Sequence, residues 1–83
     1  MTKLEQKLIE LGYKRTGNYF KYIKRVLENI LIIDINVGAR AEIRYAYVDF
    51  YARGVYYQWQ LDNLQQAFNE MQKDLEVLKQ CQS

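Results

Sequence analysis

Leu61, Leu64, Phe68, Met71, Leu75 and Leu78 follow one another at intervals of 3, 4, 3, 4 and 3 residues, and no other pattern narrows the fold as much. This spacing puts six large apolar side chains on one stripe of an α-helix. A strand cannot satisfy it, because its side chains alternate every second residue. A helix from about Leu61 to Gln80 would be ~30 Å long. Asp62 would fall in its first turn, where the helix start favours an anion. Burying the six side chains would contribute on the order of 9 to 18 kcal/mol before conformational entropy is subtracted. A single amphipathic helix cannot cover its own stripe, so the rest of the chain must supply a surface of similar width.

The preceding residues supply a sheet. Thr2 with Glu5 three residues later has the form of a capping box and predicts a first helix from about Lys3 to Leu11. Leu4, Leu8 and Leu11 recur at helical spacing beside Ile9, and Gly12 stands where a left-handed cap belongs. From Tyr13 onward, aromatic and β-branched residues dominate, broken by Thr16-Gly17-Asn18, Glu28-Asn29 and Gly38-Ala39-Arg40. Strands are expected at about Tyr19 to Leu27, Ile30 to Val37 and Glu42 to Phe50, with a shorter fourth from Val55 to Trp59. In the second, Leu31, Ile33, Ile35 and Val37 share one face and Ile30, Ile32, Asp34 and Asn36 the other. In the third, Ile43, Tyr45 and Tyr47 alternate with Arg44, Ala46 and Val48. Short connections between them imply an antiparallel meander. The expected class is α+β over residues 1–83 as one domain: an N-terminal helix, a three- to four-stranded antiparallel sheet, and a long C-terminal helix on one sheet face. Proline is absent, which suits long uninterrupted elements.

Composition excludes most catalytic constellations. The chain has no histidine, one cysteine (Cys81) and one serine (Ser83), so neither an imidazole-activated nucleophile nor a zinc site of imidazole and thiolate can be assembled. One cysteine also forms no internal disulfide, as expected of a protein folded in a reducing cytoplasm. The longest apolar run is the four residues Ile30–Ile33, far short of the ~20 that a membrane helix needs, and the first residues lack the hydrophobic stretch of a secretory signal. No membrane association and no cofactor are expected. Asp34, Glu42 and Asp49 with nearby Arg44 are the best carboxylate set for an enzyme. A metal-dependent nuclease would carry Glu-x-Lys, whereas Glu42-Ile43-Arg44 ends in arginine, so these acids read as structural and the protein as no enzyme.

Two recognition surfaces remain. The formal net charge is +2, with an excess of four cations over residues 1–53 and of two anions over residues 54–83. Lys14, Arg15, Lys21, Lys24 and Arg25 interleave with Tyr13, Tyr19, Phe20 and Tyr22 in the first hairpin. Cations for phosphates beside rings for bases are what single-stranded DNA or RNA binding requires, and Lys14, Arg15, Tyr19, Lys21, Tyr22, Lys24 and Arg25 are the residues that would carry it. The second surface follows from eight tyrosines, which cannot all enter one core layer. Tyr45, Tyr47, Tyr51, Tyr56 and Tyr57, flanked by Arg44 and Arg53, have the composition of a protein-binding hot spot. The C-terminal stripe also matches a coiled-coil seam, and Ala67, Val77 and Cys81 beside it would widen contact with a second copy, making a homodimer a further reading.

The segments Leu4 to Tyr13 (LEQKLIELGY) and Leu61 to Leu75 (LDNLQQAFNEMQKDL) resemble small uncharacterised proteins encoded by phages and prophages of Gram-positive bacteria. The resemblance covers both helices, about a third of the chain. It implies a protein of the host bacterial cytoplasm that acts by stoichiometric binding to a host or phage protein, a class that includes inhibitors of host defence such as anti-CRISPR proteins. Inhibitors that mimic DNA are strongly acidic. This slightly basic chain would instead block a target by occupying a protein surface.

Overall fold

Thr2 caps the first helix as its spacing from Glu5 predicts. The Glu5 backbone N–H donates to Thr2 Oγ1 at 3.2 Å, and the Thr2 N–H donates to Glu5 Oε1 at 3.2 Å. Helix α1 runs Lys3–Glu10 and ends at Gly12, whose φ of 100° is the left-handed conformation that glycine adopts without strain. In this computed structural model, which describes residues 2–17, 20–36, 38, 41–50 and 56–81, four strands follow: β1 (Lys14–Arg15), β2 (Lys21–Val26), β3 (Asn29–Asn36) and β4 (Glu42–Asp49). Helix α2, Gln58–Lys79, closes the order. All strand pairs are antiparallel, and the sheet order is β1-β2-β3-β4, a meander. The expected α+β class is thus observed, with helix α2 lying across the strands.

The fourth strand stands elsewhere than expected. Of the predicted Val55–Trp59, Val55 lies outside the described residues, Tyr56 and Tyr57 are not in a strand, and Gln58 and Trp59 open α2. Gln60 explains the earlier helix start: its Oε1 accepts the Tyr57 backbone N–H at 2.9 Å, satisfying a donor that the first turn leaves free. Asp62 consequently sits in the second turn, where it accepts from Gln58 Nε2 at 3.0 Å. The additional strand is β1, two residues on the other side of the sheet, whose pairing with Tyr22 and Ile23 was hidden by its brevity. The turn after β2 is Leu27–Glu28 rather than Glu28-Asn29. Asn29 is a buried strand residue, while Leu27 takes a φ of 58°, a conformation that costs a branched side chain ~1–2 kcal/mol.

Leu31, Ile33 and Ile35 of β3 point inward as expected and are fully buried with Leu4, Leu8, Tyr13, Tyr22, Ala67, Met71 and Leu78. Val37, assigned to the same face, lies outside the described residues. In β4 the simple alternation breaks. Asp34 pairs with Tyr45 but Ile35 pairs with Ile43, leaving Arg44 as the extra residue of a β-bulge. The bulge returns Ile43 to the core side with Ala46 and Val48, while Tyr45 and Tyr47 stay on the opposite face.

The C-terminal stripe is also divided. Met71 and Leu78 are buried, Leu64 and Leu75 are half-buried, and Leu61 and Phe68 remain 42% and 46% exposed. The fully buried line is Ala67, Met71, Asp74 and Leu78, rotated from the predicted seam toward a carboxylate. Asp74 causes the rotation: its Oδ2 accepts from the Tyr13 hydroxyl at 2.8 Å and lies 2.9 Å from Lys24 Nζ. Lys24 also contacts Glu70 Oε1 at 3.0 Å and lies 5.2 Å from the Tyr13 ring centroid. A buried carboxylate needs such partners, so the helix docks on the line that reaches them. The same line places Ala67 in the core, where it cannot widen contact with a second copy.

Candidate functional site

Both helices lie on the side of the sheet to which Leu31, Ile33, Tyr22 and Lys24 point. The opposite face is covered by no described element. Pairing register identifies its members, since directly opposed residues share a face. Lys14 opposes Ile23, Ile23 opposes Ile32, and Ile32 opposes Tyr47. One row higher, Lys21 opposes Asp34, which opposes Tyr45; one row lower, Arg25 opposes Ile30, which opposes Asp49. The result is an isoleucine and tyrosine strip with cations concentrated on β1 and β2.

Arg44 and Asp34 organise the upper row. Asp34 is 1% exposed, and its Oδ1 accepts from Arg44 Nε at 2.6 Å and lies 2.5 Å from Nη2. The bulge that unpairs Arg44 turns its guanidinium over β3 toward Asp34, and that group also lies 5.0 Å from the Phe20 ring centroid. The Tyr45 hydroxyl bonds the same carboxylate, which raises its pKa by favouring the neutral phenol. Tyr45 and Tyr47 stack at 5.9 Å between centroids, 47% and 41% exposed. The carboxylate thus fixes one arginine and one tyrosine, and the tyrosine fixes the next. Recognition by rings already held in place avoids most of the ordering cost of binding.

Of the predicted protein-binding set, Arg44, Tyr45 and Tyr47 come together here. Tyr56 and Tyr57 are exposed in the segment before α2, where Tyr56 stacks on Phe50 at 5.7 Å. Tyr51 and Arg53 lie outside the described residues. Of the nucleic-acid set, Lys14, Lys21 and Arg25 lie on this open face, but Tyr22 and Lys24 point the other way. Tyr22 is buried, with its hydroxyl 3.3 Å from Glu5 Oε2, and Lys24 is held by Glu70 and Asp74. Arg15 opposes Tyr22 and shares its side, and Tyr19 lies outside the described residues. The cation and aromatic series of the first hairpin is therefore split by strand alternation into two faces. Sequence reasoning missed Ile23, Ile30 and Ile32 as members of the open face, although the alternation of β3 already placed Ile30 and Ile32 opposite Leu31 and Ile33.

The carboxylates considered for catalysis do not converge. Asp34 is committed to Arg44 and Tyr45, while Glu42 and Asp49 stand at opposite ends of β4. Among the described residues no three histidine, cysteine, aspartate or glutamate side chains gather as a metal site requires. No described helix is long and apolar enough to cross a membrane. Compared with known proteins, the chain matches no family model, no curated protein and no solved structure.

Proposed function

We infer that this is a non-enzymatic binding protein of phage or prophage origin that recognises a protein through the open face of its sheet, in the manner of a stoichiometric inhibitor of host defence. One observation carries the reading: Arg44 and Tyr45 are held on Asp34 and Tyr47 stacks on Tyr45, beside an isoleucine strip in which Ile23 and Ile30 are half-buried and Ile32 is buried. Aromatic and arginine anchors over an apolar floor are the residue types that dominate protein interfaces. Charge favours a protein target as well. Lys14, Lys21, Arg25 and Arg44 are nearly balanced in number by Asp34, Glu42 and Asp49, so the face as a whole carries little net charge with which to attract a polyanion. The resemblance of the helical segments to phage proteins supports the origin and the host cytoplasm as the place of action.

A second reading, single-stranded nucleic acid, is favoured by Lys14, Lys21 and Arg25 sharing the face with both tyrosines. One experiment separates the two. The tagged protein is incubated with lysate of a Gram-positive bacterium, and its captured partner is titrated from about 50 to 500 mM salt, over which the Debye length shortens about threefold. A protein partner retained within about threefold across that range, and lost on combined Tyr45→Ser and Tyr47→Ser replacement, supports the first reading. Capture of nucleic acid that weakens about a hundredfold with salt, as about three phosphate contacts imply, and is abolished by Lys21→Ser with Arg25→Ser, would replace it.

A further inference from the structure

We propose that the cavity between the β2–β3 turn and the first two turns of α2 binds a guanidinium group, as carried by an arginine side chain or a small guanidine compound. Asn63 lies four residues after Trp59 and three after Gln60, so the three share one face of the helix. Glu28 belongs to the turn and Asn29 opens β3. With Phe50 just beyond β4, these six residues line a cavity of about 50 Å³. A water needs roughly 10–15 Å³ of such space, so there is room for a group of about four heavy atoms. Asn29 makes the cavity more than a gap in packing. It is 2% exposed, on the core side of β3 with Leu31, and its side chain makes no hydrogen bond among the described residues. No buried side-chain nitrogen or oxygen among those residues is sealed off without a partner, so the Asn29 amide keeps its remaining exposure toward the cavity it lines. A buried amide left to itself is costly, and a ligand that bonds it removes that cost.

Charge and shape name the ligand. Glu28 carries the only formal charge among the lining residues, is exposed, and has no ion-pair partner among the described residues. Trp59 is 49% exposed, and Phe50 is braced by its stacking on Tyr56. A carboxylate beside two aromatic rings attracts a cation. Gln60 already accepts the Tyr57 N–H, which lessens the pull of the helix start on an anion. A guanidinium is one carbon and three nitrogens in a plane. Its N–H groups suit the Glu28 carboxylate and the side-chain oxygens of Asn29 and Asn63, and its flat faces suit the rings. An ammonium is a single heavy atom and would leave most of the space empty. A water would satisfy Asn29 and leave the carboxylate and the rings unused. The cavity lies on the helix side of the sheet, so it is separate from the open face and stands whether or not that face binds a protein.

Trp59 is the one tryptophan of the chain, so its emission reports the site directly. The full-length protein is titrated with N-acetyl-arginine amide, its lysine counterpart and its neutral citrulline counterpart, following Trp59 emission and the Asn29 side-chain amide signal by NMR. The arginine compound should shift both saturably, with a dissociation constant on the order of 1–10 mM, as a group of this size allows. The lysine and citrulline compounds should bind at least about tenfold more weakly. Glu28→Gln should weaken the arginine compound about tenfold and leave thermal melting unchanged, because Glu28 has no partner to lose. A further pair of probes distinguishes the source. Arginine within a blocked Gly-Arg-Gly peptide binding as well as the amide would assign the group to a protein chain, and binding confined to methylguanidine would assign it to a small molecule; the guanidinium site stands in both cases. No saturable shift, citrulline or lysine binding within about threefold of arginine, or an affinity indifferent to Glu28→Gln would overturn the proposal. So would an Asn29 amide that exchanges magnetisation with a held water and ignores arginine.

Discussion

At the scale of single residues, the polar contacts decide more than the apolar count suggests. Asp74 is buried at 3% exposure with Tyr13 and Lys24 as partners, so removing it takes the acceptor from the buried Tyr13 hydroxyl and leaves Lys24 with Glu70 alone. Asp74→Ala should cost ~3–5 kcal/mol in urea unfolding, whereas the apolar replacement of the whole cluster, Tyr13→Phe with Lys24→Met and Asp74→Leu, should be much closer to neutral, since it leaves no buried hydroxyl without its acceptor. The same cluster makes stability depend on pH at both limits. The Lys24 contact holds the Glu70 carboxyl below its ordinary value of 4.5, so its stabilisation is complete above pH 4.5 and is lost as pH falls through the lower folded value. For Lys24, burial works against the charge, but the bonds to Asp74 and Glu70 overcome it and raise the pKa above 10.5. Its contribution is therefore complete below pH 10.5 and is lost as pH rises through the folded value. Melting temperature followed against pH should show the wild type approaching Glu70→Gln as acid is added below pH 4.5, and the two staying separated near neutrality.

Among the elements, α2 shows how far periodicity reads and where it stops. The existence of the helix, its length within three residues and its place across the sheet all follow from the spacing of Leu61 to Leu78. Which line of that helix faces inward does not, because the partners of Asp74 come from residues 13 and 24 and no local pattern announces them. Leu78→Ala should accordingly cost ~2–5 kcal/mol, and Leu61→Ala less than ~1 kcal/mol, although both occupy the same seam; chemical denaturation of the two variants distinguishes them. The helix start at Gln58 was hidden for a related reason. Aromatic residues at 56, 57 and 59 favour a strand, and a cap supplied by Gln60 outweighs them. Strand β1 is too short to carry an alternation, and the bulge in β4 is visible only through its pairing with β3. For the candidate site, Arg44, Tyr45 and Tyr47 were legible from composition and alternation. The basic hairpin was not legible as a surface, because residue order alone assembles Lys21, Tyr22, Lys24 and Arg25 while the pleat separates them.

For the molecule as a whole, the sheet divides two kinds of residue with little overlap. Leu31, Ile33, Ile35 and Tyr22 join the helices in the core, while Lys14, Lys21, Arg25 and Tyr47 stand on the far face. Replacing all four far-face residues by serine should therefore shift the urea midpoint less than Leu31→Ala alone, which is expected to cost ~2–5 kcal/mol. A midpoint that collapses with the four serines would show that the outer layer carries the fold. The pleat has a consequence for how such a protein changes over generations. Under the proposed reading, mutations on the far side alter what is grasped, while those among the core residues alter whether the chain holds together. A lineage under pressure from an evolving opponent can thus exchange one set of contacts for another without first finding a new way to fold.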